Sequence, residues 1–127
     1  MKFKVYRYRK IKSTNDEAIN LIINKNIKNG YIHSEMQTSG RGTFGKKWIA
    51  QRGNLFGSVF FPLKDRYPNF HEFSFINPVI IYTVIKNLCS SCNLALKWPN
   101  DILINKKKVC GILQEVIKKK NLDYLII

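Results

Sequence analysis

The sequence predicts an α+β domain: a mixed, largely antiparallel sheet with helices packed on one face. Three observations predict it. Two stretches carry apolar residues at helical spacing: Ala18, Ile19, Ile22, Ile23 and Ile27, then Phe73, Ile76, Ile80, Val84 and Leu88. Around them lie short apolar runs bounded by turn formers, the pattern of strands and hairpins. The length, 127 residues with 45% apolar and 24% charged types, suits a single globular domain, residues 1–127, with one core.

Taken in order, residues 2–9 set Phe3, Val5, Tyr6 and Tyr8 among cations and read as a first strand. Thr14-Asn15-Asp16-Glu17 fits a capping box with acids in the first turn, so a helix begins there and Asn29-Gly30 closes it. Residues 31–37 read as a strand. Residues 38–54, holding Ser39, Gly40, Gly42, Gly45 and Gly53, read as a long loop. Residues 55–61 form a strand closed by Pro62. The second helix follows, restarted at Asn77-Pro78 because proline suits a first turn. Residues 94–98 read as a strand. Residues 101–104 and 108–117 read as two strands joined by an Asn105-Lys106-Lys107 turn, and residues 122–127 as a last strand after Lys118-Lys119-Lys120. A final strand ending on Ile126-Ile127 with no polar residue beyond reads as a chain lacking its natural C-terminal part. Left unpaired, it would offer an edge for a homodimer.

Composition narrows function. Apolar runs of about four residues, such as Val79-Ile80-Ile81-Tyr82, fall far short of a membrane span of ~18, and the N-terminus has no apolar signal region. The net charge of +14 points toward nucleic acid. Against that, Lys, Ile and Asn supply 47 of 127 residues, as AT-rich codons would, only 5 of 22 cations are Arg, and the cations are dispersed; nucleic-acid binding is not expected. Cys89, Cys92 and Cys110 are odd in number, and Cys89-Ser90-Ser91-Cys92 closes a helix instead of opening one. Reduced thiols in a cytoplasmic protein are expected, with no zinc or redox role.

Gly40-Arg41-Gly42-Thr43-Phe44-Gly45-Lys46-Lys47 carries the most chemistry. It matches both the dinucleotide fingerprint and the P-loop, and fails both on context. No helix follows, and Lys47 stands where a P-loop needs Ser or Thr. What survives is an anion site: glycines let amides converge, Arg41, Lys46 and Lys47 add charge, and Trp48 offers a stacking face. A surface loop of solvated cations is the alternative. A second cluster is Lys97-Trp98-Pro99-Asn100-Asp101 with Lys108-Val109-Cys110-Gly111-Ile112-Leu113. Pro99 forces a turn, Lys108 begins a strand from which its ammonium can enter a cleft, and Gly111 permits close backbone approach.

Together these stretches resemble the biotin–protein ligases, with the class II synthetase-like catalytic domain shared by biotin and lipoate ligases. Ser13-Thr14-Asn15 is similar to the family's STN. Gln37 with Gly40-Arg41-Gly42 and Trp48 is similar to its Q-x-x-GRG loop, Lys97 to Asp101 to its KWPND, and Lys108 to Leu113 to its K-x-x-GIL. The resemblance implies ATP-dependent biotinylation of a lysine on a biotin carboxyl carrier domain through biotinyl-5′-AMP, with ATP, Mg2+ and biotin. It implies that Ser13, Thr14, Gln37, Gly40, Arg41, Gly42, Lys108 and Gly111 hold biotin. Arg41, Gly42, Trp48, Asn54 and Asn100 hold the nucleotide. Lys108, Arg41 and Asp101 are catalytic, Asp101 orienting the acceptor lysine or ligating Mg2+. No residue need act as nucleophile, so the chemistry rests on positioning and charge. His33 and His71 match no block and read as structural or surface residues. Thr43 and Phe44 depart from the family, standing where many members carry cations, which predicts weaker retention of the adenylate. No N-terminal helix-turn-helix and no C-terminal β domain are expected. Two other readings remain open: a non-catalytic remnant that binds biotin or a partner, and a lipoate–protein ligase relative. Helix capping alone also accounts for Ser13 and Thr14.

Overall fold

The computed structural model describes residues 2–127. In chain order the elements are β1 (Val5–Tyr8), α1 (Thr14–Ile23), β2 (Gly30–Ser34), a 3-10 turn (Thr43–Gly45), β3 (Phe56–Pro62), α2 (Phe70–Leu88), β4 (Leu94–Lys97), β5 (Asp101–Ile104), β6 (Lys107–Gly111), β7 (Glu115–Lys119) and β8 (Leu122–Ile126). They fall into two compact units: the chain up to Lys64 with Gln114–Ile127, and Asp65–Leu113. The α+β reading holds, with the strands divided between two sheets. Among the described residues no helix is long and apolar enough to cross a membrane.

In the first unit the strands run β1-β2-β3-β8-β7, with β1 and β2 parallel and every other pair antiparallel. α1 packs on this sheet through Ala18, Leu21 and Ile22, which meet Ile32, Phe60, Tyr124 and Ile126 in the core. Each Leu, Ile or Phe among them, taken out of water, contributes about 1.5–3 kcal/mol. The last strand is no free edge: β8 lies between β3 and β7, with Leu125 and Ile126 fully buried. The apolar chain end is therefore covered by its own sheet, and the edges are β1 and β7. At Gly30 an added Cβ would lie 2.9 Å from the rings of Phe60 and Tyr6, so glycine is required by close packing. It opens β2 and does not close α1.

α1 starts and stops elsewhere than its motif suggests. Its N-cap is Ser13, whose hydroxyl accepts from the Asp16 amide at 3.3 Å, so Thr14 is the first helical residue. The helix ends at Ile23, where the Lys119 ammonium donates to the carbonyls of Ile22 and Ile23 and to Asn26 Oδ1, satisfying acceptors a helix end leaves open. Tyr8 donates to Glu17 at 2.9 Å. Burial first, and that carboxylate second, push its phenol up to about 12.

The second unit is an antiparallel sheet, β4-β5-β6, with α2 on β4 and β5. Asn69 and Glu72 form a reciprocal capping box that starts α2 at Phe70. The helix then runs without restart to Leu88. Pro78 forfeits one backbone bond but is fully buried, and packing holds the helix through it. The strand expected over residues 108–117 is two strands in different sheets. Beyond Gly111 the Ile112 amide donates to the Asn100 carbonyl at 2.8 Å, which takes the backbone out of β6 before Glu115 begins β7. The expectation of reduced thiols is also corrected: the turn after α2 brings Cys89 and Cys92 together as a disulfide, their Cα atoms 5.4 Å apart. Cys110 stays a thiol, its pKa raised by burial and then by Asp101.

Candidate active site

In the first unit the polar residues gather at the N-terminus of α1. Starting the helix one residue early makes Ser13 its cap and leaves the Thr14 side chain for other partners. Gln37 Oε1 accepts the Thr14 amide at 2.7 Å and lies 3.1 Å from its hydroxyl. Ser58, fully buried on β3, lies 2.7 Å from Thr14 Oγ1 and 2.5 Å from Asn15 Oδ1. Proton accounting orders the chain. Asn15 Oδ1 only accepts, so the single Ser58 proton goes there, and the Thr14 hydroxyl donates toward Ser58 or Gln37. Asn15 Nδ2 then donates to Glu115 Oε2 at 2.7 Å. Ser13, Thr14 and Asn15 are each about 95% buried, so every one of these bonds replaces water at real cost if broken.

The glycine loop folds back onto this cluster. Gly42 N donates to the Lys46 carbonyl at 2.7 Å, and Trp48 N to the Gly40 carbonyl at 2.8 Å, so the two arms form a small hairpin. At Gly40 a Cβ would stand 3.1 Å from Gln37 Nε2 and 3.3 Å from the Trp48 carbonyl, a fit tight enough that these neighbours would have to give by a few tenths of an ångström. At the tip Phe44 is 99% exposed at φ 57°, a left-handed conformation unusual for a bulky residue, and Gly45 follows at φ 69°. Arg41 reaches the helix terminus. Its Nη2 lies 2.9 and 2.8 Å from the two Glu115 oxygens and 3.0 Å from Asp16 Oδ1, and Nη1 is 3.4 Å from Ser13 Oγ. The structure thus brings together Ser13, Thr14, Gln37, Gly40 and Arg41. Trp48 sits at the base of the same hairpin, half-buried, and Gly42 on its arm; Asn54 lies further along the loop, exposed.

Sequence reasoning missed Asp16, Ser58 and Glu115, and gave Asn15 no role. Ser58 carried a faint signal as an inward position of an alternating strand. Glu115 carried one as an acid two residues past Leu113 in a basic segment.

In the second unit Lys108 Nζ lies 2.7 Å from Asp101 Oδ1 across the β5–β6 hairpin. Asn105 and Lys106, at φ 49° and 65°, make the tight turn between these strands. A bulge between Ile102 and Leu103 shifts the register, so that Leu103 faces Lys108 and Asp101 faces Gly111. Asp101 is largely buried, its side chain 15% exposed against 38% for Lys108. Asp101 Oδ1 thus faces the Lys108 ammonium. Among the described residues no three His, Cys, Asp or Glu cluster to hold a metal. Asn100 holds its place through its carbonyl, while Gly111 is exposed. His33 lies on β2 and His71, exposed, in the first turn of α2.

The site is thus a glycine–arginine hairpin folded onto a helix N-terminus in an α+β protein, with Arg41 held between Glu115 and Asp16. The comparisons make this specific. Residues 7–127 match the model of the biotin/lipoate A/B protein ligase family. The chain belongs to that family. It is 33% identical over 104 residues to the biotin–[acetyl-CoA-carboxylase] ligase of Paracoccus denitrificans, covering 81% of this chain and 43% of that protein. It is 32% identical over 87 residues to the bifunctional ligase/repressor BirA of Escherichia coli, covering 68% and 27%. The chain therefore spans less than half the length of these curated relatives. In fold it resembles the biotin acetyl coenzyme A carboxylase synthetase of Helicobacter pylori, solved with bound biotinylated ATP. The TM-score there is 0.79 at 21% identity, over 98% of this chain and 59% of that one. A second likeness is the Leishmania major biotin protein ligase solved with biotinyl-5-AMP, at TM-score 0.78 and 23% identity, covering 99% and 56%.

Proposed function

We propose that this chain carries the adenylating machinery of a biotin–protein ligase. It joins biotin to ATP as biotinyl-5′-AMP, for transfer to a lysine of a biotin carboxyl carrier domain. The observation that carries the proposal is the seat at the start of α1. There Ser13, Thr14 and Gln37 offer hydrogen bonds to a polar ring and Arg41 stands beside them for a carboxylate. The curated relatives, named as ligases, support the choice of biotin.

In the first step a biotin carboxylate oxygen attacks the α-phosphorus of ATP, the bond to the bridging oxygen breaks, and pyrophosphate leaves. Two anions must meet, so the protein's task is to hold them and offset charge. Arg41 and the amides of Gly40 and Gly42 meet the carboxylate and α-phosphate. Lys108, kept in place by Asp101, stabilises the charge that grows on the phosphate oxygens. Gly111 brings its backbone to biotin. Trp48 lies against adenine, and Asn54 and Asn100 support the nucleotide. Mg2+ arrives with the triphosphate as part of the substrate. In the second step the acceptor amine attacks the mixed anhydride and AMP leaves, with Asp101 the candidate to receive or orient that amine.

The test is mass-spectrometric detection of biotinyl-5′-AMP when the purified chain meets biotin, ATP and Mg2+. The expected result is adenylate formed only when biotin and ATP are both present. A folded chain that forms none overturns the proposal.

A further inference from the structure

We infer that Glu115 is the positioning residue of Arg41, fixing the guanidinium so that its remaining donors face the anionic substrates; this rests on the adenylation reading above. Glu115 begins β7, 74 residues from the loop that carries Arg41, and belongs to the sheet that supports α1. Its carboxylate is itself held. Oε2 accepts from Asn15 Nδ2 at 2.7 Å, and Asn15 is tied by its other amide atom to the fully buried Ser58. Turning the carboxylate would break a hydrogen bond inside the protein, so it is a fixed anchor for a residue on a loop.

The donor count shows what the anchor leaves over. A guanidinium has five N–H groups in a rigid plane. The two on Nη2 are committed to Glu115 and Asp16, and one on Nη1 faces Ser13 at 3.4 Å. The Nε–H and the second Nη1–H have no partner among the described residues. With one end of the plane pinned to the sheet, the direction of those two donors is set before a ligand arrives, which removes an ordering cost from binding or from the transition state. Glutamine at position 115 keeps the shape but turns an amide N–H toward donors. Aspartate keeps the charge but is one methylene short.

The experiment follows biotin-dependent exchange of pyrophosphate into ATP for the wild type, Glu115→Gln, Glu115→Asp, Arg41→Ala and the Arg41→Ala/Glu115→Gln double variant, with amide hydrogen exchange at Gly42 and Trp48. Glu115→Gln is expected to lower kcat by about ten- to a hundredfold, more than it changes KM for biotin. Glu115→Asp should recover part of the loss. In the Arg41→Ala background Glu115→Gln should add nothing, because it acts through the arginine. Loop amides should exchange faster in either single variant and no faster in the double one. Losses that multiply in the double variant, or wild-type kcat and loop protection in Glu115→Gln, overturn the inference. A wild-type chain with no exchange reaction refutes the adenylation reading instead. Hydrogen exchange then decides the positioning claim by the same comparison of single and double variants.

Discussion

The two units present their charged groups in opposite ways. At the start of α1 Arg41 belongs to a network that runs through Glu115, Asn15, Ser58, Thr14 and Gln37, of which Thr14 and Asn15 on the helix and Ser58 on β3 are about 95% buried or more. On the β5–β6 hairpin Lys108 pairs with Asp101, and more than a third of its side chain is exposed. The networked arginine is bound to stability as well as function, since the Glu115 that holds it is tied through Asn15 to the buried Ser58. The lysine is itself partly open to water, but the carboxylate it faces is largely buried and depends on it for counter-charge. The difference separates a group that must be aimed from a group that mainly supplies charge.

The largest effect should come from the more open site. Lys108→Ala is expected to reduce adenylate formation by about 10²–10³-fold, the loss typical of removing one donor to developing charge. Its stability in urea should fall by about 1–3 kcal/mol, because the largely buried Asp101 loses its counter-charge. Unfolding of the variant at room temperature would erase the contrast between the units. Asn15→Ala should act mainly on stability: urea unfolding should show a loss of about 1–3 kcal/mol, because Ser58 and Glu115 each lose a partner. Ser13→Ala should cost about 1 kcal/mol or less in the same assay, since Gln37 continues to accept the Thr14 amide after the cap is gone. The smallest effect concerns Tyr8. Its phenol is raised from 10 to about 12, so the folded state favours the protonated form. That contribution is complete below pH 10 and is lost as pH rises toward 12. Denaturation midpoints across that range should fall for the wild type and fall less for Tyr8→Phe.

Much of this was legible in the residues. The apolar spacing of α1, the turn formers of the loop and the lysine turns flanking β6 and β7 all specify local structure, and local structure is what periodicity encodes. Four motif blocks in order pointed to the family. What was hidden depends on pairing across long separations. Thr14-Asn15-Asp16-Glu17 satisfies the capping pattern by itself, yet Gln37 and Ser58 claim Thr14 and shift the cap to Ser13. Residues 108–117 look continuous as a strand, but a backbone bond from Ile112 to Asn100 divides them between two sheets. Glu115 lies 74 residues from Arg41, a distance at which no spacing rule operates. The disulfide follows from the turn after α2, which composition does not describe.

The most direct test of the seat at the start of α1 is calorimetric titration of the wild type and Arg41→Ala with biotin and with biotin methyl ester, which lacks the anionic carboxylate. The account predicts that the wild type binds the acid more tightly than the ester, and that Arg41→Ala removes this preference while still binding the ring through Ser13, Thr14 and Gln37. Equal affinity of the wild type for acid and ester, or a preference that survives the loss of Arg41, would contradict it.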